Sequence, residues 1–298
     1  MQSPPLESLQ HALDLIEANL RQPLTVGELA TKAGYSFWHF QKVFVALVQE
    51  PVASYTRRRR ITEAALALRH APERRILDIA MDFGFDSHES FTRAFTSVTG
   101  TNPREFRTEI MPIMRWARFP ILPHQLNLIP SKMALEPTFI DLPALSLVGC
   151  ASRFIAAMSP DANNMQVIPP LWGQISARKA ELGVAPDAVM YGACRLLPPH
   201  QRTREDELEY LAGTVIAPEH PVPAGMARWE IPALHYAKFV HRGPVETFPE
   251  TLNYVYGSWF PRSKYTPTHD IELECYDSRF CLGSSDSEVD YLISIRPA

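Results

Sequence analysis

The 298 residues predict a multi-domain chain: an all-α unit of two tandem helix-turn-helix motifs, then an α+β unit built from a duplicated β-α-β-β motif. Three observations predict it. The length exceeds the roughly 100–200 residues usual for one domain. A proline-rich stretch without helical periodicity interrupts the chain near residues 110–135. Each side of that stretch carries its own internal repeat, the mark of a duplicated supersecondary unit. The expected layout is an all-α domain over 1–110, a linker over 111–133 and an α+β domain over 134–298.

Composition narrows the class. Hydrophobic residues make up 46% of the chain, enough for two cores, yet no apolar run approaches the roughly 20 residues of a membrane helix. The start, Met1 to Leu9, has no basic stretch followed by an apolar signal region, so a cytoplasmic protein with no membrane partner is expected. Cys150, Cys194, Cys275 and Cys281 form no C-x-x-C pair, and buried free thiols are expected rather than a metal site. Charge divides unevenly: residues 1–120 carry net +2 and residues 121–298 net −6, which suits halves with different partners.

In the first half, Leu29-Ala30-x-x-Ala33-Gly34-Tyr35-Ser36 recurs as Ile79-Ala80-x-x-Phe83-Gly84-Phe85-Asp86-Ser87. An apolar helix end, a glycine, an aromatic and then a serine describe a tight turn between helices. Gly34 and Gly84 supply the left-handed backbone, and Ser36 and Ser87 cap the next helix. In the helix after the first turn, Phe37, Phe40, Phe44 and Leu47 form one stripe and Trp38, Gln41, Lys42 and Val45 another. In the second copy Phe91, Phe95 and Val98 point inward, leaving His88, Glu89, Thr92, Arg93 and Thr96 outward. The outward sets are expected to face the major groove of double-stranded DNA: Arg93 has the geometry for guanine and Gln41 for adenine.

Between the copies, Ile61, Ala64, Ala65 and Leu68 recur at helical spacing in a connecting helix that holds the two readers at a set separation. The run Arg57-Arg58-Arg59-Arg60 near its start is expected to contact phosphate, Arg59 in particular.

These residues resemble the DNA-binding domain of the AraC/XylS family over residues 7–108. The diagnostic part is Gly84-Phe85-Asp86-Ser87-x-x-x-Phe91-x-Arg93-x-Phe95, followed by Gly100-x-Asn102-Pro103-x-x-Phe106-Arg107. The resemblance implies a transcription regulator, an activator in the favoured reading, with RNA polymerase as a further partner. Gln49 departs from the pattern, because a glycine usually follows the first reading helix; strain or a different cap is expected there.

In the second half, Ile140-Asp141-Leu142-Pro143-Ala144-Leu145 is echoed by Trp229-Glu230-Ile231-Pro232-Ala233-Leu234, and Glu207-Leu208-Glu209-Tyr210-Leu211 by Glu288-Val289-Asp290-Tyr291-Leu292. Each copy reads as β-α-β-β, which predicts a mixed sheet with two helices on one face. Residues 134–296 resemble the GyrI-like effector-binding domain, through Ala237-Lys238-Phe239-Val240-His241-Arg242-Gly243-Pro244, Trp259-Phe260-Pro261 and Glu272-Leu273-Glu274-Cys275-Tyr276-Asp277. The resemblance implies a small-molecule effector, often cationic, bound at a buried glutamate among aromatics. It puts Glu274 in that role, with Glu272 the competitor because a two-residue slip keeps the strand face, and Trp172, Tyr191, Trp259 and Tyr276 as the walls. A ligand cation relieves the cost of an unpaired buried carboxylate while stacking on ring faces.

No G-x-S-x-G elbow, P-loop or G-x-G-x-x-G fingerprint is present, and His235, His241 and His269 lack metal-ligand spacing. A non-enzymatic regulator without cofactor or metal is therefore expected, with no catalytic residue. Two other readings stand beside it: a C-terminal protein-interaction or protective module that binds no ligand, and a C-terminal small-molecule hydrolase.

Overall fold

The computed structural model describes residues 4–108, 136–157, 159, 161–204 and 206–297. The chain divides into two compact units, at residue 125, and each is described by itself. The expected linker, 111–133, lies outside the described residues.

The N-terminal unit is all-helical: α1 (Pro4–Ala18), α2 (Val26–Lys32), α3 (Phe37–Val48), α4 (Val52–His70), α5 (Ile76–Asp82), α6 (His88–Thr99) and α7 (Pro103–Thr108). The predicted turns and serine caps are present, together with a cap on α2 that was not among the expectations. Thr25 and Glu28 form a capping box at the start of α2, and the Ser36 and Ser87 hydroxyls accept the backbone N–H of His39 and Ser90. Gly34 and Gly84 both take φ of 76°, so each turn uses the backbone freedom of glycine. On α4, Ile61, Ala64, Ala65 and Leu68 are fully buried and join Phe83, Phe91, Phe95 and Phe106 in one core. α3 ends on Gln49 at φ 64°, the only left-handed non-glycine among the described residues. The strain expected there is real, and the Gln49 amide bonds the Ala46 carbonyl at 2.6 Å.

The C-terminal unit holds β1 (Thr138–Leu142), β2 (Leu145–Ile155), α8 (Asn164–Arg178), β3 (Met190–Leu196), β4 (Glu207–Val215), β5 (Ala227–Ile231), β6 (Leu234–Arg242), α9 (Phe248–Tyr254), α10 (Phe260–Arg262), β7 (Tyr265–Tyr276) and β8 (Glu288–Pro297). A π-helical turn, Val255–Trp259, joins α9 to α10. The eight strands form one sheet in the order β1-β6-β8-β7-β3-β4-β2-β5. That order reads the same from either end when β1–β4 are exchanged for β5–β8.

Two expectations need correction. The Ile140 and Trp229 segments are themselves strands, β1 and β5, so each half reads β-β-α-β-β. The sheet is not mixed either: every pairing is antiparallel. The reason is that β4 lies between β2 and β3, so the two strands joined by the α8 crossover never become neighbours. The cysteines also divide: Cys150 is buried, while Cys281 is exposed.

Candidate DNA-reading helices and ligand site

The two reading helices differ in exposure because they differ in composition. α6, HESFTRAFTSVT, has one apolar stripe and buries only that stripe. Phe91 and Phe95 are fully buried, while His88, Glu89, Arg93 and Thr96 are exposed and Thr92 is half-buried. Glu89 sits in the first turn, where its backbone N–H and the Ser87 hydroxyl hold its carboxyl below the usual range. α3, FWHFQKVFVALV, is apolar almost all round, and such a helix is buried all round. Trp38, Gln41 and Lys42, expected outward, are each less than a tenth exposed, with the Lys42 ammonium 4.7 Å over the Trp38 ring.

The arginine run is corrected more sharply. At 100° per residue four consecutive side chains leave a helix in four directions, and only Arg57 is exposed. Arg58 bonds Glu50. Arg59, expected on phosphate, is buried; its Nε and Nη2 donate to the two Glu17 oxygens at 2.9 Å each, and Nη2 also reaches Glu63 at 2.9 Å. Tyr55 donates to the same Glu17 at 2.8 Å. Arg59 is thus a packing residue that joins α4 to α1.

In the C-terminal unit, alternation along the strands sorts the candidates by face. Gly192, Cys194, Tyr210, Glu272, Glu274, Tyr276 and Tyr291 share the face on which the helices pack. Glu274 Oε2 accepts the Tyr210 hydroxyl at 2.7 Å and the Tyr276 hydroxyl at 2.8 Å. Trp172 of α8 donates from Nε1 to the Tyr210 oxygen at 3.2 Å, and its ring meets that of Tyr276 edge-on at 4.7 Å. Burial first, and then the Glu274 charge, push both phenols well above their ordinary pKa, so they remain donors at neutral pH. Gly192, paired with Glu274 across the β3–β7 ladder, leaves the space in which these groups meet. A Cβ there would collide with the Tyr210 hydroxyl and stand 2.6 Å from Glu274 Oε2.

Glu272, two residues earlier on β7, has a different environment. It is buried, and its two oxygens accept the hydroxyls of Tyr256 and Tyr291 at 2.5 Å each. Glu274 is half-buried. Of the two carboxylates, then, Glu272 is the one sealed into the core by tyrosines.

Two expected wall residues lie elsewhere. Tyr191 is adjacent to Gly192 in sequence and therefore points to the opposite sheet face, where it packs against the core that contains Leu273 and Tyr236. Trp259 is buried among Phe239, Phe260, Phe139 and Tyr265, an aromatic core beside β6. Sequence reasoning missed Tyr210 and Gly192. The available signal was the Leu208-Glu209-Tyr210-Leu211 repeat, which carries its tyrosine into both halves. His241 is a satisfied core histidine, bonded through Nδ1 to Thr251 and through Nε2 to the Pro244 carbonyl.

Comparison with known proteins finds two families along the chain. The family described as a GyrI-like small molecule binding domain matches residues 135–296, and a helix-turn-helix domain family matches residues 29–109. The chain is 29% identical over 274 residues to the transcriptional regulator Rob of Salmonella typhimurium strain LT2, covering 88% of this chain and 87% of that protein. It is likewise 29% identical over 271 residues to the right origin-binding protein of Escherichia coli strain K12, with the same coverage. Among solved structures, SAV2435 bound to tetraphenylphosphonium matches with a TM-score of 0.44 at 15% identity, over 55% of this chain and 94% of that one. No helix among the described residues is long and apolar enough to cross a membrane. The chain thus belongs to the GyrI-like small molecule binding family through its C-terminal unit and, with an AraC-type helix-turn-helix unit in front of it, is a DNA-binding transcription regulator.

Proposed function

We propose that this regulator reads DNA with a domain in residues 1–110 and senses a cationic aromatic molecule with a domain in residues 134–298, acting as a switch rather than as an enzyme. On the DNA side the proposal rests on α6, whose exposed Arg93 suits a bidentate contact to guanine, with His88, Glu89 and Thr92 beside it. α3 follows a similar glycine turn, one residue shorter, and joins as the second reader in the DNA-bound state, in which Trp38, Gln41 and Lys42 have to be uncovered. Changing Arg93 to Ala is expected to cost about 1–3 kcal/mol and to relax preference at one base position. Gel-shift titration on a base-substituted series checks this; unchanged affinity and unchanged preference would refute the reading role of α6.

On the ligand side the observation that carries the proposal is the pair of tyrosine hydroxyls on one oxygen of a half-buried Glu274. A carboxylate fixed beside the Trp172 and Tyr276 rings offers a cation opposite charge and stacking area together. Glu274→Gln keeps size and hydrogen bonding but removes the charge. It is expected to weaken cationic aromatic dyes about tenfold or more, corresponding to a lost charge-assisted contact of roughly 1.5–3 kcal/mol, and to leave neutral aromatic dyes nearly unchanged. Calorimetric titration of the full chain with both dye classes decides it. Equal losses for both classes would make Glu274 a structural residue.

A further inference from the structure

We infer that Arg60 is a positioning residue for DNA recognition: it ties the turn of the second helix-turn-helix to the turn between α1 and α2, at the start of the first helix-turn-helix, and thereby sets the offset between the two reading helices. The inference rests on the proposed reading in which α3 and α6 both engage DNA.

The starting observation is a difference between two turns that share a left-handed glycine, the second being one residue longer. Gly34 and Gly84 have the same φ of 76° and each precedes a reading helix. A Cβ on Gly34 would meet nothing within 4 Å, whereas one on Gly84 would stand 3.0 Å from Arg60 Nη1, 3.4 Å from its Cζ and 3.7 Å from its Nη2. The second turn is docked and the first is open. The docking group comes from α4, and the same guanidinium is anchored outside the second helix-turn-helix: Arg60 Nη2 donates to the Gln22 carbonyl at 2.9 Å, in the turn between α1 and α2. Arg21, next to that carbonyl, stands 5.0 Å over the ring of Phe83, the residue before Gly84. Two arginines, one from α4 and one from the turn between α1 and α2, therefore link that turn to the second glycine turn.

Burial separates Arg60 from an ordinary surface arginine. Its Nε is buried without a hydrogen-bond partner, and burial lowers the pKa of the guanidinium. Such a cation is costly, and it is held against glycine backbone where a plane with donors along two edges fits and a point charge does not. α6 begins at His88, four residues after Gly84, so a shift of the turn moves the reading helix with it. Packing of α5 and α6 on α4 sets their distance from the first unit, and Arg60 fixes where along α4 they sit.

The test uses the full chain and DNA sites selected from a random pool by the wild-type protein, then re-synthesised with the separation between the two elements lengthened or shortened by one or two base pairs. Wild type is expected to prefer one spacing about tenfold or more, in line with the loss per mismatched position at a specific site. In Arg60→Met that preference should shrink to about threefold or less, with the salt dependence unchanged. Arg60→Lys should behave like Arg60→Met. Because Arg60→Met could fail to fold, Gly34→Ala and Gly84→Ala form a second arm. Both carry the same backbone strain, but only Gly84→Ala pushes against Arg60, so only it should relax the spacing preference. A preference that survives Arg60→Met, a full rescue by Lys, or equal effects of the two glycine variants overturns the inference. A salt slope reduced by about one in Arg60→Met, with the spacing preference intact, would make Arg60 a phosphate contact instead. Selected wild-type sites with a single element would refute the two-reader reading itself, and the positioning role with it.

Discussion

Single residues shape the candidate ligand site through what they leave out. Gly192 is required because the Tyr210 hydroxyl and Glu274 Oε2 occupy the volume its side chain would take. Gly192→Ala is therefore expected to displace Tyr210, to lower stability by about 1–3 kcal/mol as overpacking does, and to weaken cationic dyes as Glu274→Gln does. Gly173, on α8, has open space around it, so Gly173→Ala should leave dye binding alone and raise stability by up to about 1 kcal/mol from helix propensity. Chemical denaturation and calorimetry on the pair check both. The pair Glu272 and Glu274 was legible in the sequence, but the Tyr210 that bonds Glu274 was not. Glu272 and Glu274 share a strand face by the period of two, and no spacing rule ranks them. The ranking comes from Tyr256 and Tyr291, which are distant in sequence and seal Glu272. Arg59 shows the same limit from the other side, since its place in a basic run suggested phosphate and its long-range partner Glu17 claimed it.

At the scale of elements, local rules held where the partner is local. Caps, turns and the connecting helix follow from residues within four positions of one another, and Ser36, Ser87, Gly34 and Gly84 all act as their types require. The end of α3 tests the same chemistry. Gln49 occupies the left-handed cap that Gly100 fills at the end of α6. Left-handed backbone costs a non-glycine residue roughly 1–2 kcal/mol. Gln49→Gly removes that cost but loses the bond to Ala46 and adds freedom to the unfolded chain, so a net gain of no more than about 1 kcal/mol is expected. Urea unfolding checks it, and a net loss would mean that the bond to Ala46 outweighs the strain. What was misjudged at this scale is the exposure of α3: the stripe of Trp38, Gln41, Lys42 and Val45 was read as outward on a helix that is otherwise apolar. A helix apolar on both sides is covered on both, as Trp38, Gln41 and Lys42 are.

At the scale of the whole molecule, buried and half-buried phenols and a half-buried thiol make alkaline pH the sensitive side. Burial pushes Tyr191 and Tyr236 up to about 12 from an ordinary 10.0 and Cys275 up to about 12 from 9.0, while Tyr210, Tyr256, Tyr276 and Tyr291 move further in the same direction. Each folded-state pKa is raised, so the unfolded chain loses these protons first. Their contribution is complete below about pH 9 and is lost as the pH climbs toward 12. Denaturant midpoints of the C-terminal unit should stay level to about pH 9 and then fall increasingly steeply, and level midpoints up to pH 11 would contradict the burial of these groups. What the sequence determined by itself was everything written in short-range periodicity: two tandem helix-turn-helix motifs, a repeated strand-rich second half, and the strand face that bears the carboxylates. What only the tertiary structure decided was which strands become neighbours, which arginines meet carboxylates and which glutamate the tyrosines enclose. Periodicity fixes the direction in which a side chain leaves its own element, but burial and pairing depend on the element it meets, and that element lies 42 residues away in the chain for Arg59 with Glu17 and 64 for Tyr210 with Glu274.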